Sequence, residues 1–429
     1  MFGSLVVLMF TGLPVAFAFY GVTLIFAFVF IGGELGLLHF ARTLTQGVQT
    51  FSLMSIPLFI FMGEIMFHTG VASRAIDAID RLISRVPGRM SLVAVAGGTV
   101  FASLSGSTIA NTAMLSSTLL PDMYRRGYQP SIAIGPIVAV GGIAMLIPPS
   151  ALAILLGSLA GISIAGLLLA SIVPALILSA MYFAYIVIRC WLQPEIAPSY
   201  DLPPMTLKER VMPLFTRVLP LMGIFLVVVG SIFLGLATPT ESAALGAVAS
   251  TIAAFAYGRL SWKSFVTASR ETLSLTVMTL FIIAGSIVFS QLLAFTGATS
   301  GFSRLIVDSG LSPMMLVVGM LAVLLVLGCF MDQVSMMMIT IPLFMPVVFA
   351  IGVDPVWFGV LMLLVLEISL ATPPFGLLLF VAQGAAPAGT TMRQIIVSVL
   401  PFIAMSLVLV GLLLAVPQIA LTLPELMRD

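Results

Sequence analysis

Charge is what this chain has least of. Only 8% of its 429 residues are Asp, Glu, Lys or Arg, against about 25% in soluble domains. With 61% hydrophobic residues and a mean hydropathy of +1.24, that shortage excludes a soluble globular domain and describes a polytopic membrane protein. The net charge is +1 and no basic block occurs, so the cationic face that nucleic acid requires is missing. Cysteine is nearly absent. Cys190 and Cys329 lie far apart, which excludes a disulfide scaffold and a metal-spaced zinc cluster. Histidine is as rare, and His39 and His68 fall near expected span ends, as interfacial residues do. Residues 1–11 have neither the basic start nor the cleavage site of a signal peptide and read as part of the first membrane element.

What is present is organised around Phe101-Ala-Ser-Leu-Ser-Gly-Ser-Thr-Ile-Ala-Asn111, a small, polar, glycine-containing stretch between two apolar runs. Each run is shorter than the roughly 20 residues that span a bilayer as a helix. Polar backbone at that depth is tolerated where it lines a cavity or packs in protein. The reading is a re-entrant helical hairpin, unwound at Ser105-Gly106-Ser107. A second hairpin follows the same plan, with the tip Gly328-Cys-Phe-Met-Asp-Gln-Val-Ser335. Ser107 and Pro121 map onto Asp332 and Pro346 at a separation of 225 residues, which also carries Pro14 onto Pro239, Gly21 onto Gly246 and Pro148-Pro149 onto Pro373-Pro374. Ordered agreement along the chain points to an internal duplication.

The expected fold is all-α and polytopic, with two inverted repeats. Residues 1–190 form the first, with a hairpin at about 91–120 and a broken helix at about 132–162; residues 191–217 form a cytoplasmic linker and surface helix. Residues 218–429 form the second repeat, with a hairpin at about 313–349 and a broken helix at about 356–383. Residues 5–31 read as one long or broken helix with Gly12-Leu-Pro14 inside it, 32–49 as a polar connection, and 72–86 as an amphipathic arm. In the second repeat 259–270 reads as a polar arm separate from a span over 273–295. Six arginines (74, 81, 85, 89, 125 and 126) flank the base of the first hairpin, whereas Arg304 stands against Asp308 and Asp354 at the second. By the positive-inside rule the two hairpins enter from opposite sides, the first from the cytoplasm.

Several residues offer chemistry. Ser103, Ser105, Gly106, Ser107, Thr108 and Asn111 are small enough to serve close helix packing. Their density also suits an unwound tip whose carbonyls take Na⁺ and whose helix-start amides take a carboxylate. Asp332 replaces Ser107 in the second tip, and a carboxylate at membrane depth is a functional candidate, as a Na⁺ ligand or an organiser of the site. Ile147-Pro-Pro-Ser150 and Thr372-Pro-Pro-Phe-Gly376 break helices and free upstream carbonyls. Glu241, after Thr238-Pro-Thr240, is expected to cap a helix. Glu64 and Glu367 suit either a cavity wall or a pairing between helices. No Lys or Arg falls at expected hydrocarbon depth, so dipoles, hydroxyls and co-bound cations, or an arginine reaching in from an end, would hold an anion there.

With Gly12-Leu-Pro-Val-Ala-Phe17, Ile56-Pro-Leu-Phe-Ile-Phe-Met-Gly-Glu-Ile65, Ser105-Gly-Ser-Thr-Ile-Ala-Asn111, Ile147-Pro-Pro-Ser150, Gly235-Leu-Ala-Thr-Pro-Thr-Glu-Ser242 and Ala371-Thr-Pro-Pro-Phe-Gly376, the chain resembles, over nearly its whole length, the large membrane (M) subunit of tripartite ATP-independent periplasmic (TRAP) transporters of the dicarboxylate/sialic-acid type. The resemblance implies a multi-pass protein of the inner membrane of a bacterium or archaeon, with an elevator-type fold like that of the ion transporter superfamily. It implies Na⁺-driven uptake of an organic acid with two or more Na⁺ and no organic cofactor. The implied partners are a periplasmic substrate-binding (P) protein and a separate small four-helix membrane (Q) subunit. It implies one Na⁺ site from Ser103, Ser105, Gly106, Asn111, Pro148 and Pro149, and another from Gly328, Met331, Asp332, Thr372, Pro373 and Gly376. Ser105, Ser107, Asn111, Ser150 and Asp332 would face the substrate. A channel, or a symporter independent of a binding protein, is the alternative, and counterflow separates a carrier from electrodiffusion. An intramembrane protease is excluded on inventory, because Asp332 lacks an evident aspartate partner and no Ser–His pair lies at depth.

Overall fold

The computed structural model describes the backbone except at residues 12, 84, 85, 106, 107, 144, 149, 199–205, 207, 208, 210, 211, 375 and 427–429, and helical side chains except those of residues 2, 6, 10, 72, 73, 75, 102–105 and 142. Among the described residues the secondary structure is helical throughout. The first half contains α1 (Phe2–Phe10), α2 (Val15–Ala27), α3 (Glu34–Val48), α4 (Ser55–His68), α5 (Val71–Leu82), α6 (Arg89–Ser105), α7 (Thr108–Arg125), α8 (Pro130–Ile143), α9 (Ala151–Ala160) and α10 (Ile164–Leu192). The second contains α11 (Leu219–Phe233), α12 (Pro239–Ala256), α13 (Trp262–Phe295), α14 (Ala298–Val307), α15 (Pro313–Gly328), α16 (Gln333–Ala350), α17 (Pro355–Leu370), α18 (Leu377–Ala385), α19 (Met392–Ala415) and α20 (Gln418–Glu425). Seven helical stretches among the described residues are long and apolar enough to cross a bilayer. Large apolar side chains such as Phe17, Val29, Ile252 and Phe255 stand on the outer surface, where lipid replaces water as their solvent. The chain is a multi-pass membrane protein.

Helix starts follow local chemistry. Thr238 and Glu241 form a reciprocal capping box at α12, as expected from the Thr-Pro-Thr-Glu run. Ser163, Ser312 and Asp354 cap α10, α15 and α17 through backbone N–H groups. Limits recur between the halves at or near the 225-residue separation: α7 and α16 correspond residue for residue, and α8 and α17 start at Pro130 and Pro355. Helix pairs occupy the stretches read as hairpins (α6–α7 and α15–α16) and as broken helices (α8/α9 and α17/α18).

Two expectations are corrected. Residues 32–49 are not a connection, since α3 fills almost all of them. Its polar residues (Glu34, His39, Arg42, Thr43, Gln46) alternate with Leu35, Leu38, Phe40 and Leu44 at a spacing a helix accepts. The polar stretch 259–270 is likewise not a separate arm. A single helix of 34 residues, α13, runs through it and the following span. Nothing between Trp262 and Phe295 breaks a helix, and polarity alone does not end one. Within 191–217, read as a linker and surface helix, eleven residues lie outside those described; a 3₁₀ turn, Pro194–Ile196, precedes them and a π-helical turn, Leu214–Val218, follows.

The interior is built around α17, whose residues Val356–Leu370 are all buried, as a helix apolar on every side should be. It packs against α15, α16, α10, α19, α8 and α9. The second arm of each hairpin also leans on the distal half of the other broken helix, α7 on α18 and α16 on α9. In a second group α2, α3 and α4 gather along α13, and α12 packs on α4.

Candidate functional site

At the first hairpin α6 ends at Ser105 and α7 begins at Thr108. Gly106, Ser107 and Pro149, and the side chains of Ser103 and Ser105, lie outside the described residues. Asn111 is fully buried and its amide donates to the carbonyls of Gly98 at 3.2 Å and Val140 at 3.5 Å, tying α7 to α6 and α8. Its Oδ1 is buried without a partner among the described residues, so an acceptor remains for a ligand. Ser150 is buried beside Pro148 and caps α9 by accepting from Ala153 N at 3.2 Å.

The second tip is described in full. Asp332 caps α16: Oδ2 accepts from Ser335 N at 3.1 Å, and Oδ1 accepts from the Ser335 hydroxyl. A carboxylate at a helix N-terminus is stabilised by the first-turn amides and the positive end of the dipole. Met331 and Asp332 border a cavity of ≈130 Å³ that is also lined by Met9, Leu13 and Val15 from the α1–α2 break. Cys329 Sγ lies 3.5 Å from the Pro373 carbonyl oxygen, and a Cβ built on Gly328 would stand 1.9 Å from Ser369 Oγ. The tip thus sits directly on the break of the broken helix. Within that break the Thr372 hydroxyl donates to Ile368 O at 2.7 Å and Gly376 N donates to Thr372 O at 3.1 Å. A Cβ on Gly376 would meet Leu370 O at 2.6 Å and Thr372 O at 2.8 Å. Carbonyl oxygens therefore crowd a position only glycine can occupy, the kind of hard-oxygen surface that unwound transporter helices turn toward Na⁺.

The residues that bring the two hairpins together are not evident as a group from sequence. Glu367, buried and one turn before the break, accepts at Oε1 from Thr108 Oγ1 at 3.1 Å and from Gln333 Nε2 at 2.8 Å. Thr108 is the first residue of α7 and Gln333 the first of α16. Both hairpin tips thus meet on one carboxyl. The 225-residue separation maps Thr108 onto Gln333 and Glu367 onto Gly142, so the duplication carries a usable hint. Glu64, the other intramembrane acid that suits two roles by sequence, instead pairs with His68 at 3.2 Å one turn along α4.

Chemically, the arrangement brings the N-termini of α7 and α16 together on Glu367, with the second tip resting against the carbonyls of one helix break. Helix N-termini favour anions and freed carbonyls favour cations. No group of three or more His, Cys, Asp or Glu among the described residues is placed to hold a metal ion, and Na⁺ in such sites is commonly held by backbone and hydroxyl oxygens.

Comparison with known proteins gives a consistent picture. The family model described as the DctM component of the tripartite ATP-independent periplasmic transporter matches residues 2–419. The C4-dicarboxylate TRAP transporter large permease protein DctM of Rhodobacter capsulatus is 30% identical over 99% of this chain and 98% of its own length. The sialic acid TRAP transporter large permease protein SiaM of Vibrio cholerae is 28% identical over 98% of this chain and 96% of its own. Among solved structures, the YdaH transporter of Alcanivorax borkumensis superposes with a TM-score of 0.63 at 14% identity, over 90% of this chain and 89% of that one, a likeness of fold.

Proposed function

The chain belongs to the DctM family of large membrane subunits of tripartite ATP-independent periplasmic transporters, and from that premise we propose that it imports an organic acid by Na⁺-coupled secondary transport across an inner membrane. The substrate is a small carboxylate of the kind named for its relatives, a C4-dicarboxylate or a sialic acid. It is delivered by a periplasmic binding protein and passed through a complex with a small four-helix membrane subunit.

The observation that carries the reading is the meeting of both hairpin tips on one carboxyl beside the break in the most buried helix. In this reading Gly328, Met331, Asp332, Thr372, Pro373 and Gly376 hold one Na⁺. Ser103, Ser105, Gly106, Asn111, Pro148 and Pro149 hold a second. The substrate carboxylate faces Ser105, Ser107, Asn111, Ser150 and Asp332, with bound Na⁺ offsetting the Asp332 charge. The helix limits that recur near 225 residues support two repeats, and the arginine distribution supports opposite insertion.

Transport proceeds by an elevator motion, in which the hairpins and broken helices slide along α13 and α4. A cavity of ≈460 Å³ between α13 and the α9–α16 pair, lined by Ser158, Ser290, Gln291 and Met337, supports a boundary loose enough to slip.

The deciding experiment is uptake into proteoliposomes holding this chain and its small partner, with the binding protein outside and an inward Na⁺ gradient. Accumulation should need both Na⁺ and the binding protein, and Asp332→Ala should abolish it. Uptake indifferent to both would overturn the tripartite symport reading and leave a channel or a simpler carrier.

A further inference from the structure

We propose that Glu367 is a positioning residue held as an uncharged carboxylic acid, a latch that joins the two hairpin tips and makes occupancy of one felt at the other. Three observations carry it. First, the two donors that reach the carboxyl, the Thr108 hydroxyl and the Gln333 amide, are both neutral and both fall on Oε1. Second, Oε2 is buried and has no partner among the described residues. Third, none of the ion pairs among the described residues involves Glu367. An ionised carboxylate in these surroundings would leave half its charge unsolvated. A carboxylic acid fits them, with a carbonyl oxygen accepting twice and a hydroxyl on the other oxygen.

The hydroxyl has somewhere to point. Glu367 lines a cavity of ≈20 Å³ with Tyr182, Ser406, Val138, Leu178 and Phe402, enough room for one water molecule. The Tyr182 hydroxyl and Ser406 Oγ lie 2.8 Å apart at its wall, which supplies polar partners for that water. Tyr182, on α10, is the one other titratable group in the cavity lining; α8 and α19 contribute apolar side chains and Ser406, and α7 and α16 contribute the two neutral donors.

Sequence position adds a reason for neutrality. Thr108 and Gln333 are counterparts in the two halves, while the counterpart of Glu367 is Gly142. One acid serves both tips, so a charge on it would have no symmetric compensation. As a neutral bridge it adds no buried charge to whatever moves. The coupling half of the proposal rests on the Na⁺-symport reading above; the protonation half does not.

The test compares Glu367→Gln, which keeps an acceptor and a donor without charge, with Glu367→Ala. Infrared spectroscopy of the purified protein at neutral pH should show a protonated-carboxyl C=O band that disappears in Glu367→Gln. An ionised carboxylate signal lost in its place would overturn the proposal, whatever the protein transports. In proteoliposomes Glu367→Gln should keep wild-type uptake and Na⁺ steepness. Glu367→Ala, having lost two hydrogen bonds, should lose uptake about tenfold, with its Na⁺ Hill coefficient falling toward unity. A Gln variant as impaired as Ala, or an Ala variant with undiminished steepness, would refute the latch. Should Glu367→Ala not fold, Thr108→Val removes one donor at nearly constant volume, and steepness must fall there too. A wild type that ignores Na⁺ would sink the symport reading alone, with the infrared result still deciding the charge state.

Discussion

Gly328 shows how a single missing Cβ sets the geometry of a tip. A methyl there would overlap Ser369, at 1.9 Å from Oγ and 2.2 Å from Cβ. Helix propensity by itself favours Ala over Gly by about 1 kcal/mol. Overlap with the Cβ of a buried helix cannot be relieved by a rotamer change, and overpacking of this kind costs about 1–3 kcal/mol. Gly328→Ala should therefore lower the unfolding midpoint and impair uptake, and Ser369→Gly in the same chain should restore both; a more stable single variant would show that α15 and α17 can separate. At this scale the sequence is legible in residue types but not in pairings. Thr108, Gln333 and Glu367 all stand out or sit in quoted motifs, yet their bonds join positions 259 and 34 residues apart. Partner choice of that kind depends on where α7, α16 and α17 pack, which no local pattern encodes. Asp332 and Ser150 attract notice for their ligand oxygens. The structure adds that both also cap helices, which fixes their orientation and leaves lone pairs free.

The elements themselves are far more legible, because breaks and caps are local chemistry. Pro130, Pro239, Pro313 and Pro355 each open a helix, as a residue without an N–H should. What stays hidden is continuity: a polar stretch inside a helix looks like a connection until its packing is seen, and α3 and the start of α13 are both of this sort. The arm α5 packs on α6 of the first hairpin and is also tied to it by Arg89. Arg89, itself buried, donates to the Asp80 carbonyl from Nε at 3.2 Å and from Nη2 at 2.7 Å, and pairs with Asp80 Oδ2 at 2.7 Å. The Asp80 side chain is 39% exposed, so water recovers part of what a broken pair loses. Arg89→Ala should cost about 1–3 kcal/mol and raise hydrogen exchange across α5 before α6. Uniform exchange in both helices would show that apolar contacts, and not the arginine, hold the arm.

For the whole molecule the informative feature is how the halves interlock. Each hairpin braces the broken helix of the other half, through α7 on α18 and α16 on α9, so the halves share one interior. If that interior moves as a body, its contact with α13 must change during the cycle. Ser286 on α13 donates to the Met338 carbonyl on α16 at 3.0 Å, which marks a place to pin. With Cys190 and Cys329 replaced, oxidising a Ser286→Cys, Met338→Cys pair should stop uptake and a reductant should restore it. Undiminished transport by the oxidised protein would mean that α13 and α16 travel together, against an elevator.

The length of α13 has a further consequence. Its 34 residues make a rod about 51 Å long at 1.5 Å per residue, against a hydrocarbon layer of about 30 Å. Such a rod must lean or project, and Lys263, Arg270 and Glu271, all exposed near its start, mark the end that projects. The tilt of a rod of this kind is set by the thickness of the bilayer around it. If the interior slides along α13 as the proposed elevator motion requires, its rail would stand at a different angle in thin and thick membranes, making lipid chain length a setting of the machine.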